Sequence, residues 1–427
     1  MPLVHMGDML RHAYDNRYAV GAFDVVSLDF ITGVIAAAEA KQAPVIISLA
    51  ESHFEYFDFE LLMTAVVRAA ERTSVPVAIH LDHGESLQSA VCAVNLGATG
   101  VMVDASSLPL DENIAHTRAV VDMARGCGIP VEGELGYVPG VEGEDAERHP
   151  GDVVYTTVEA AQRYCDETGV DFLAVSIGTV HGRMQGEPQL DIERLADINR
   201  ALGIPLVIHG GTGLSEAQFR QLIDNGVTKI NYYTALADAA GKQIQANVQQ
   251  AERPGYTGMQ QGTAQAVRQE AERCIDIWGS NGRADALLSA CRPWRPVEHV
   301  IAYNTKGLDE AGVEAMMAEG RRVLGEIPGV LRVFTGHAVQ DEAGYSHCWL
   351  VTFCSPEVIN SYRDHPDHQR FADERFRPHA GERVSIDFEE SEPGQKGSVT
   401  NDNDYDLSPT PLIDPFHLSF QCTLGEQ

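Results

Sequence analysis

Residues 205–233 read PLVIHGGTGLSEAQFRQLIDNGVTKINYY and hold one complete repeat of the architecture. Pro205–His209 is a short apolar run with the β-branched residues of a buried strand. A glycine-rich turn follows. Ser215–Asp224 then opens on a hydroxyl residue and ends before Asn225-Gly226, a helix start and a helix stop. Val227–Tyr233 is apolar again. Strand, helix and strand in this spacing describe two neighbouring parallel strands joined over one face.

The unit recurs upstream. Tyr18–Val25, Pro44–Ala50, Val75–Asp82, Gly100–Asp104, Pro130–Leu135 and Phe172–Val180 are Val- and Ile-rich runs, each followed by a helical pattern. With the two runs above they number eight. Near-continuous apolar strands imply a parallel sheet covered on both faces. Eight units in this length predict an α/β fold, a (β/α)8 TIM barrel of about 250 residues. An open doubly wound sheet would want GxGxxG after an early strand; here the first strand ends in GAFDV. The connection Gly136–Tyr155 is polar, rich in Gly, Pro and acids, and of a length expected for a lid or a disordered segment.

Gln265–Trp278 is a further helix, and Arg292–Pro296 reads as a linker. The pattern then changes. Strands are expected at Glu298–Thr305, Val330–Val339, Tyr345–Cys354 and Arg383–Phe388, with helices at Asp309–Ile327 and Pro356–His379. That is βαββαβ, a ferredoxin-like α+β order. The division expected is therefore a barrel over 1–290, a ferredoxin-like domain over 297–390, and a disordered or docking tail over 391–427.

The 62 acids against 31 bases give a net charge of −31. This balance excludes nucleic acid and anionic membrane surfaces as partners, since both need Lys and Arg to meet phosphates. The hydrophobic fraction of 44 % excludes a chain disordered throughout. Met1–Tyr18 has no apolar run of signal-sequence length, and eight cysteines are scattered without CxxC spacing. A cytoplasmic protein with reduced thiols is expected.

Polar residues at the carboxyl ends of the runs are Asp24, Asp82, His83, Asp104, Glu134, His181, His209 and Asn231. In such a barrel these ends share one face, where active sites lie. Three are His followed by Gly: His83-Gly84, His181-Gly182 and His209-Gly210. Glycine there lets the chain turn out of the strand at positive φ. Three imidazoles converging from different strands suit a zinc-like ion with an open fourth position. Glu134 and Asp104 are further ligands or acceptors for a His N–H. Asp82 and His83 both face the pocket only if the strand has ended at Asp82, because strand neighbours point oppositely. Gly210, Gly211 and Thr212 offer backbone N–H groups to an anion beside a helix N-terminus.

HLDHG (80–84), VMVDAS (101–106), VEGELG (131–136), IGTVHG (177–182), HGGTG (209–213) and KIN (229–231) together resemble the class II ketose-bisphosphate aldolases over residues 3 to about 284. The resemblance implies a zinc-dependent aldehyde-lyase. It makes His83, His181 and His209 the metal ligands, and Asp104 and Glu134 a second or alternative metal or monovalent-cation position. Asp82 becomes the acid at the aldehyde oxygen and Glu142 the base at the ketose C–H. Gly182, Gly210, Gly211, Thr212, Asn231 and Thr234 become the phosphate contacts. Residues 297–390 resemble the stress-responsive dimeric α/β-barrel (Dabb) family, which implies a homo-oligomer, a dimer or tetramer. His365 and His368 beside Pro366 read as helix-start residues.

The substrate side departs from the family pattern. Gln185 stands where many members carry Lys, Tyr233 where residues are smaller, Asp24 where Asn is common, and Ala50 where a polar residue ends strand two. A small-molecule ketose or ketose phosphate is expected, anchored by one phosphate or carboxylate, with fructose 1,6-bisphosphate cleaved poorly. An isomerase or epimerase on the same metal site, fructose-bisphosphate cleavage proper, and a non-catalytic binding protein are the alternatives. Lys229 is the one strand lysine open to Schiff-base chemistry.

Overall fold

A computed structural model describes residues 2–136, 138, 147–148, 154–184, 188–250, 253 and 255–389, with backbone only at 147–148 and 183–184. Eight parallel strands close a barrel: β1 (Val20–Asp24), β2 (Val45–Ala50), β3 (Val77–Gly84), β4 (Gly100–Val103), β5 (Val131–Leu135), β6 (Phe172–Val175), β7 (Leu206–Ile208) and β8 (Val227–Tyr232). Each pairs with its neighbours in sequence, and β1 closes on β8. Both faces are buried, so alternation is written in polarity at the inner face alone. Val20, Ala22, Ile46, Ala78, Phe172, Ala174 and Val207 fill the lower interior. The helix Met6–Asn16 plugs that end with Met6, Met9, Leu10 and Ala13.

The repeat at 205–233 folds as read. The helix spans Glu216–Asp224, and Ser215 and Gln218 form a reciprocal capping box that satisfies two orphan N–H groups. The segment Arg292–Pro296 is not a free linker. Val4 bridges Pro293, Trp294 N–H donates to the Leu3 carbonyl at 2.9 Å, and Arg292 clasps Asp8.

The second sheet holds β9 (Val297–Thr305), β10 (Val330–His337), β11 (His347–Phe353) and β12 (Ala380–Glu389), antiparallel in the order β10-β11-β9-β12. Helix Glu310–Gly325 and the segment 358–376 cover one face, where Tyr303, Trp349, Val351 and Phe353 are buried. The expected single helix over 356–379 is broken into Val358–Asp364, Pro366–Phe371 and a wider turn at Ala372–Phe376. The break follows from Pro366: it forces His365 to extended backbone, ψ 133°, and His365 then caps the next helix through Nδ1. The other sheet face exposes Phe334, Val384, Ile386 and Phe388.

Barrel and second sheet meet through polar pins. Asn95 donates to the carbonyls of Gly325 and Ile327 and accepts from Gly329 N–H. Ser355 and Ser361 donate to the carbonyls of Cys127 and Gly126. The expected tail, 391–427, lies outside the described residues.

Candidate functional site

The sequence posed a difficulty at Asp82 and His83, and the backbone resolves it differently from the expectation. Strand β3 does not end at Asp82; it runs to Gly84 with an irregular register against β4 between Leu81 and Gly84. His83 itself takes φ 45°, a left-handed conformation that L-residues seldom adopt. The twist turns its ring to the side Asp82 already faces, and His83 Nε2 lies 3.8 Å from Asp82 Oδ2. Gly84 is not at positive φ. It is small because a Cβ there would meet the Met102 carbonyl at 2.6 Å. Gly210, by contrast, has φ 70° as expected, and a Cβ would collide with the Val180 carbonyl.

His83, His181 and His209 stand together, with one nitrogen of each lying within 4.8 Å of the other two. Their rings lie 4.6–5.7 Å apart and nearly perpendicular, so none stacks over another's lone pair. His83, Asp104 and Glu134 form a second such group that shares His83. His83 Nδ1 donates to Asp104 Oδ2 at 2.9 Å, and Nε2 lies 2.9 Å from His209 Nδ1. Glu134 Oε2 is buried with no hydrogen-bond partner among the described residues.

These contacts set the charges. Burial opposes charge on His83, but Asp82 and Asp104 overcome it and hold the imidazole well above its usual range. Burial and the His83 charge lower His181 and His209. Asp82, despite burial, is held low by His83 and Lys229. Burial, with Asp104 beside it, pushes Glu134 well up. The set is a dense cluster of acids and imidazoles in which His83 and His209 have their second nitrogens engaged by Asp104 and Glu132, and these donors fit a divalent transition metal.

Beneath it lies a layer that the sequence reading missed. Glu132 is fully buried inside the barrel, two residues before Glu134 on the same face of β5. Its Oε1 accepts from His209 Nε2 at 3.0 Å, and its Oε2 pairs with Lys229 Nζ at 2.7 Å. Burial works against ionised Glu132, but Lys229 and His209 hold it down at about 2. Lys229 also donates to Asn231 Oδ1 at 2.6 Å, and Asn231 Nδ2 donates to Asp82 Oδ1 at 2.7 Å. His80, bonded to Ser48 Oγ, lies 3.7 Å from Glu132 and is depressed to about 3 by burial and Lys229. The i, i+2 spacing of Glu132 with Glu134 and of Lys229 with Asn231 was the available signal.

Of the expected anion contacts, Gly182, Gly210, Gly211 and Thr212 gather on the turns after the His181 and His209 positions, and Thr234 is buried at a helix start. Asn231 has its amide committed to Asp82 and Lys229, below that rim. Tyr233 packs 4.4 Å from the buried His53 ring and 6.1 Å from Phe30. Asp24 is buried at the end of β1 and Ala50 at the end of β2. Glu142 and Gln185 lie outside the described residues.

The family model for fructose-bisphosphate aldolase class-II matches residues 4–283, and the stress responsive A/B barrel domain (Dabb) model matches 297–390. A probable fructose-bisphosphate aldolase of Bacillus subtilis strain 168 is 39 % identical over 247 residues, 57 % of this chain and 86 % of that relative. A fructose-bisphosphate aldolase of Staphylococcus aureus strain Mu50 is 37 % identical over the same length, 57 % of this chain and 85 % of its own. The crystal structure of the YdjI aldolase from Escherichia coli K12 superposes with TM-score 0.60 at 34 % identity, covering 66 % of this chain and 99 % of that one. A putative fructose-1,6-biphosphate aldolase from Coccidioides immitis gives 0.59 at 31 %, covering 65 % and 97 %. Among the described residues no helix is long and apolar enough to cross a membrane. The chain belongs to the class-II fructose-bisphosphate aldolase family and carries a Dabb domain behind its barrel.

Proposed function

We propose that the protein is a zinc-dependent aldolase that cleaves or forms a ketose phosphate in the cytoplasm. One observation carries the reading: three imidazoles, from the ends of β3 and β7 and from the segment after β6, converge beside a buried carboxylate, with Gly-rich turns at the rim. His83, His181 and His209 hold the ion; Asp104 and Glu134 offer a second position. When bound, the ion supplies Lewis-acid stabilisation of the negative charge that builds on the ketose oxygens as the C–C bond breaks.

The chain's own groups do the rest. Backbone N–H groups of Gly210–Thr212, with Thr234, anchor one phosphate at the mouth. Asp82, 3.8 Å from His83 and fixed by Asn231, takes the hydroxyl proton in cleavage and returns it to the aldehyde oxygen in condensation. Glu142 exchanges the C–H proton of the ketose fragment. Asp24 and Ala50 replace the usual polar neutral groups at the mouth, which adds negative charge and removes a donor. That supports a substrate with one anionic end and a neutral or smaller aldehyde portion, with fructose 1,6-bisphosphate turned over slowly. The open apolar face of the Dabb sheet supports pairing with a second copy.

The test strips the protein with a chelator, then restores zinc, cobalt or manganese singly while aldehyde release is followed across a panel of ketose phosphates. Activity that vanishes and returns supports the reading. Full activity in verified metal-free protein overturns it. A kcat/KM on fructose 1,6-bisphosphate at or above about 10⁴ M⁻¹s⁻¹, inside the usual enzyme range, overturns the substrate preference.

A further inference from the structure

The contacts inside the barrel close into a ring. Glu132 joins His209 and Lys229; Lys229 joins Asn231; Asn231 joins Asp82; Asp82 faces His83; and His83 joins His209. Two members, Glu132 and Lys229, reach no solvent and do not line the mouth. A fully buried ion pair in a barrel interior is seldom retained for stability, since well-packed apolar residues do as well or better. This one ends on a ligand imidazole at one side and on the candidate acid at the other.

We propose that Glu132 and Lys229 are positioning residues: Glu132 accepts a hydrogen bond from His209 Nε2–H and so presents Nδ1 as that ring's lone pair, while Lys229 holds Asn231 and through it aims Asp82. The assignment rests on the aldolase reading above. Its geometry is specific. Imidazole has one lone-pair nitrogen when neutral, and the acceptor at the other nitrogen selects which. Glu132 Oε1 is that acceptor, so the Nδ1 that points at His83 is the ligand atom. Asn231 has one acceptor and one donor end, and an amide left alone could sit either way round. Lys229 can only donate, so it fixes the oxygen end toward itself and the NH2 end toward Asp82. The lysine is thereby used up, which leaves no Nζ for a Schiff base.

Removing either charge alone would leave the other buried and uncompensated, so both are replaced together in the full-length chain. E132M/K229M removes the acceptor and the donor; E132Q/K229M keeps an acceptor for His209 but loses the ammonium. Zinc affinity is read by competition with a chromophoric chelator, folding by thermal unfolding of the metal-free protein, and kinetics on the best ketose phosphate of the panel. E132M/K229M is expected to bind zinc about 10- to 100-fold more weakly, the usual effect of losing such a partner. E132Q/K229M is expected to recover zinc binding to within a few-fold of wild type. Its kcat is expected to stay at least about tenfold low with KM little changed, because Asp82 has lost its aim. Should E132M/K229M not fold, the kcat-against-KM split of E132Q/K229M decides alone. Wild-type zinc affinity and kcat in the folded double variants would overturn the positioning role and leave the aldolase reading standing. A wild-type chain that binds no zinc would instead overturn that reading, and this role with it.

Discussion

Gly210 is the position where one added methyl group should cost most per atom. It follows His209 directly and has φ 70°; an ideal Cβ would lie 2.5 Å from the Val180 carbonyl carbon and closer still to its oxygen. Val180 in turn precedes His181. Gly210→Ala thus drives apart the two chain segments that carry two of the three ligand imidazoles. The left-handed backbone alone costs about 1–2 kcal/mol for an L-residue. Overpacking against backbone that cannot rotate away adds about 1–3 kcal/mol. Gly213→Ala isolates the first contribution: its φ is 91° but a Cβ would meet nothing within 4 Å. Reversible denaturant unfolding of the metal-free proteins should show about 1–2 kcal/mol lost for Gly213→Ala and about 2–5 kcal/mol for Gly210→Ala. Zinc competition should show Gly210→Ala weakened at least about tenfold, a change equivalent to 1.4 kcal/mol, and Gly213→Ala near wild type. Equal stability losses with equal zinc affinity would refute the steric reasoning.

Glu142→Ala should lower turnover by about 100-fold or more, as loss of a general base does, with bound zinc unchanged by metal analysis; unchanged turnover would pass the proton role to another carboxylate of the same connection. Ile386→Asp on the open sheet face, where the side chain is 46 % exposed in the single chain, should lower the solution mass measured by light scattering while zinc binding persists; an unchanged mass would mean that this face is not the contact between copies. Asp8 accepts from Arg292 N–H, Nε and Nη2, and although burial raises its carboxyl, these bonds hold it below the ordinary 3.8. A lowered acid stabilises the fold above its unfolded pKa and ceases to as pH falls through the folded one. Asp8→Asn should therefore cost about 0.5–1 kcal/mol at pH 7, discounted because Arg292 is largely exposed, and nothing once the pH has fallen through the lowered pKa of the folded state; a cost independent of pH would exclude the ion pair as its source.

Much of this was legible because parallel barrel strands are buried on both faces and stand out as apolar runs. Each of the eight runs holds a strand, and the Ser215 capping signal and the three His-Gly steps fall at a helix start and at the mouth; the sixth strand, however, stops at Val175 rather than Val180, so a turn and not a strand end carries His181. The inner layer was harder to read for the same reason. In a strand such as PVEGEL, an acid reads as the end of the strand, yet Glu132 sits mid-barrel because Lys229, 97 positions later, neutralises it across the lumen. No local pattern encodes that partner. His83 shows a different limit: the motif told which residues meet, but not that a histidine rather than its glycine bears the positive φ. At Pro366 the local rule was present in the sequence, and a helical pattern drawn across it was wrong.

The seam at Leu3–Val4 and Pro293–Trp294 brings the beginning of the barrel against its finish. The barrel's backbone is thus almost an endless loop, fastened at the floor, with the three-histidine cluster at the ceiling. The chain that continues after Pro296 leaves from that floor, and the appended sheet is held there by Asn95 and by the carbonyls of Gly126 and Cys127, at the end of the barrel away from the three histidines. A circularly permuted barrel, joined across this seam and reopened at an exposed helix turn, is the engineered form of that loop.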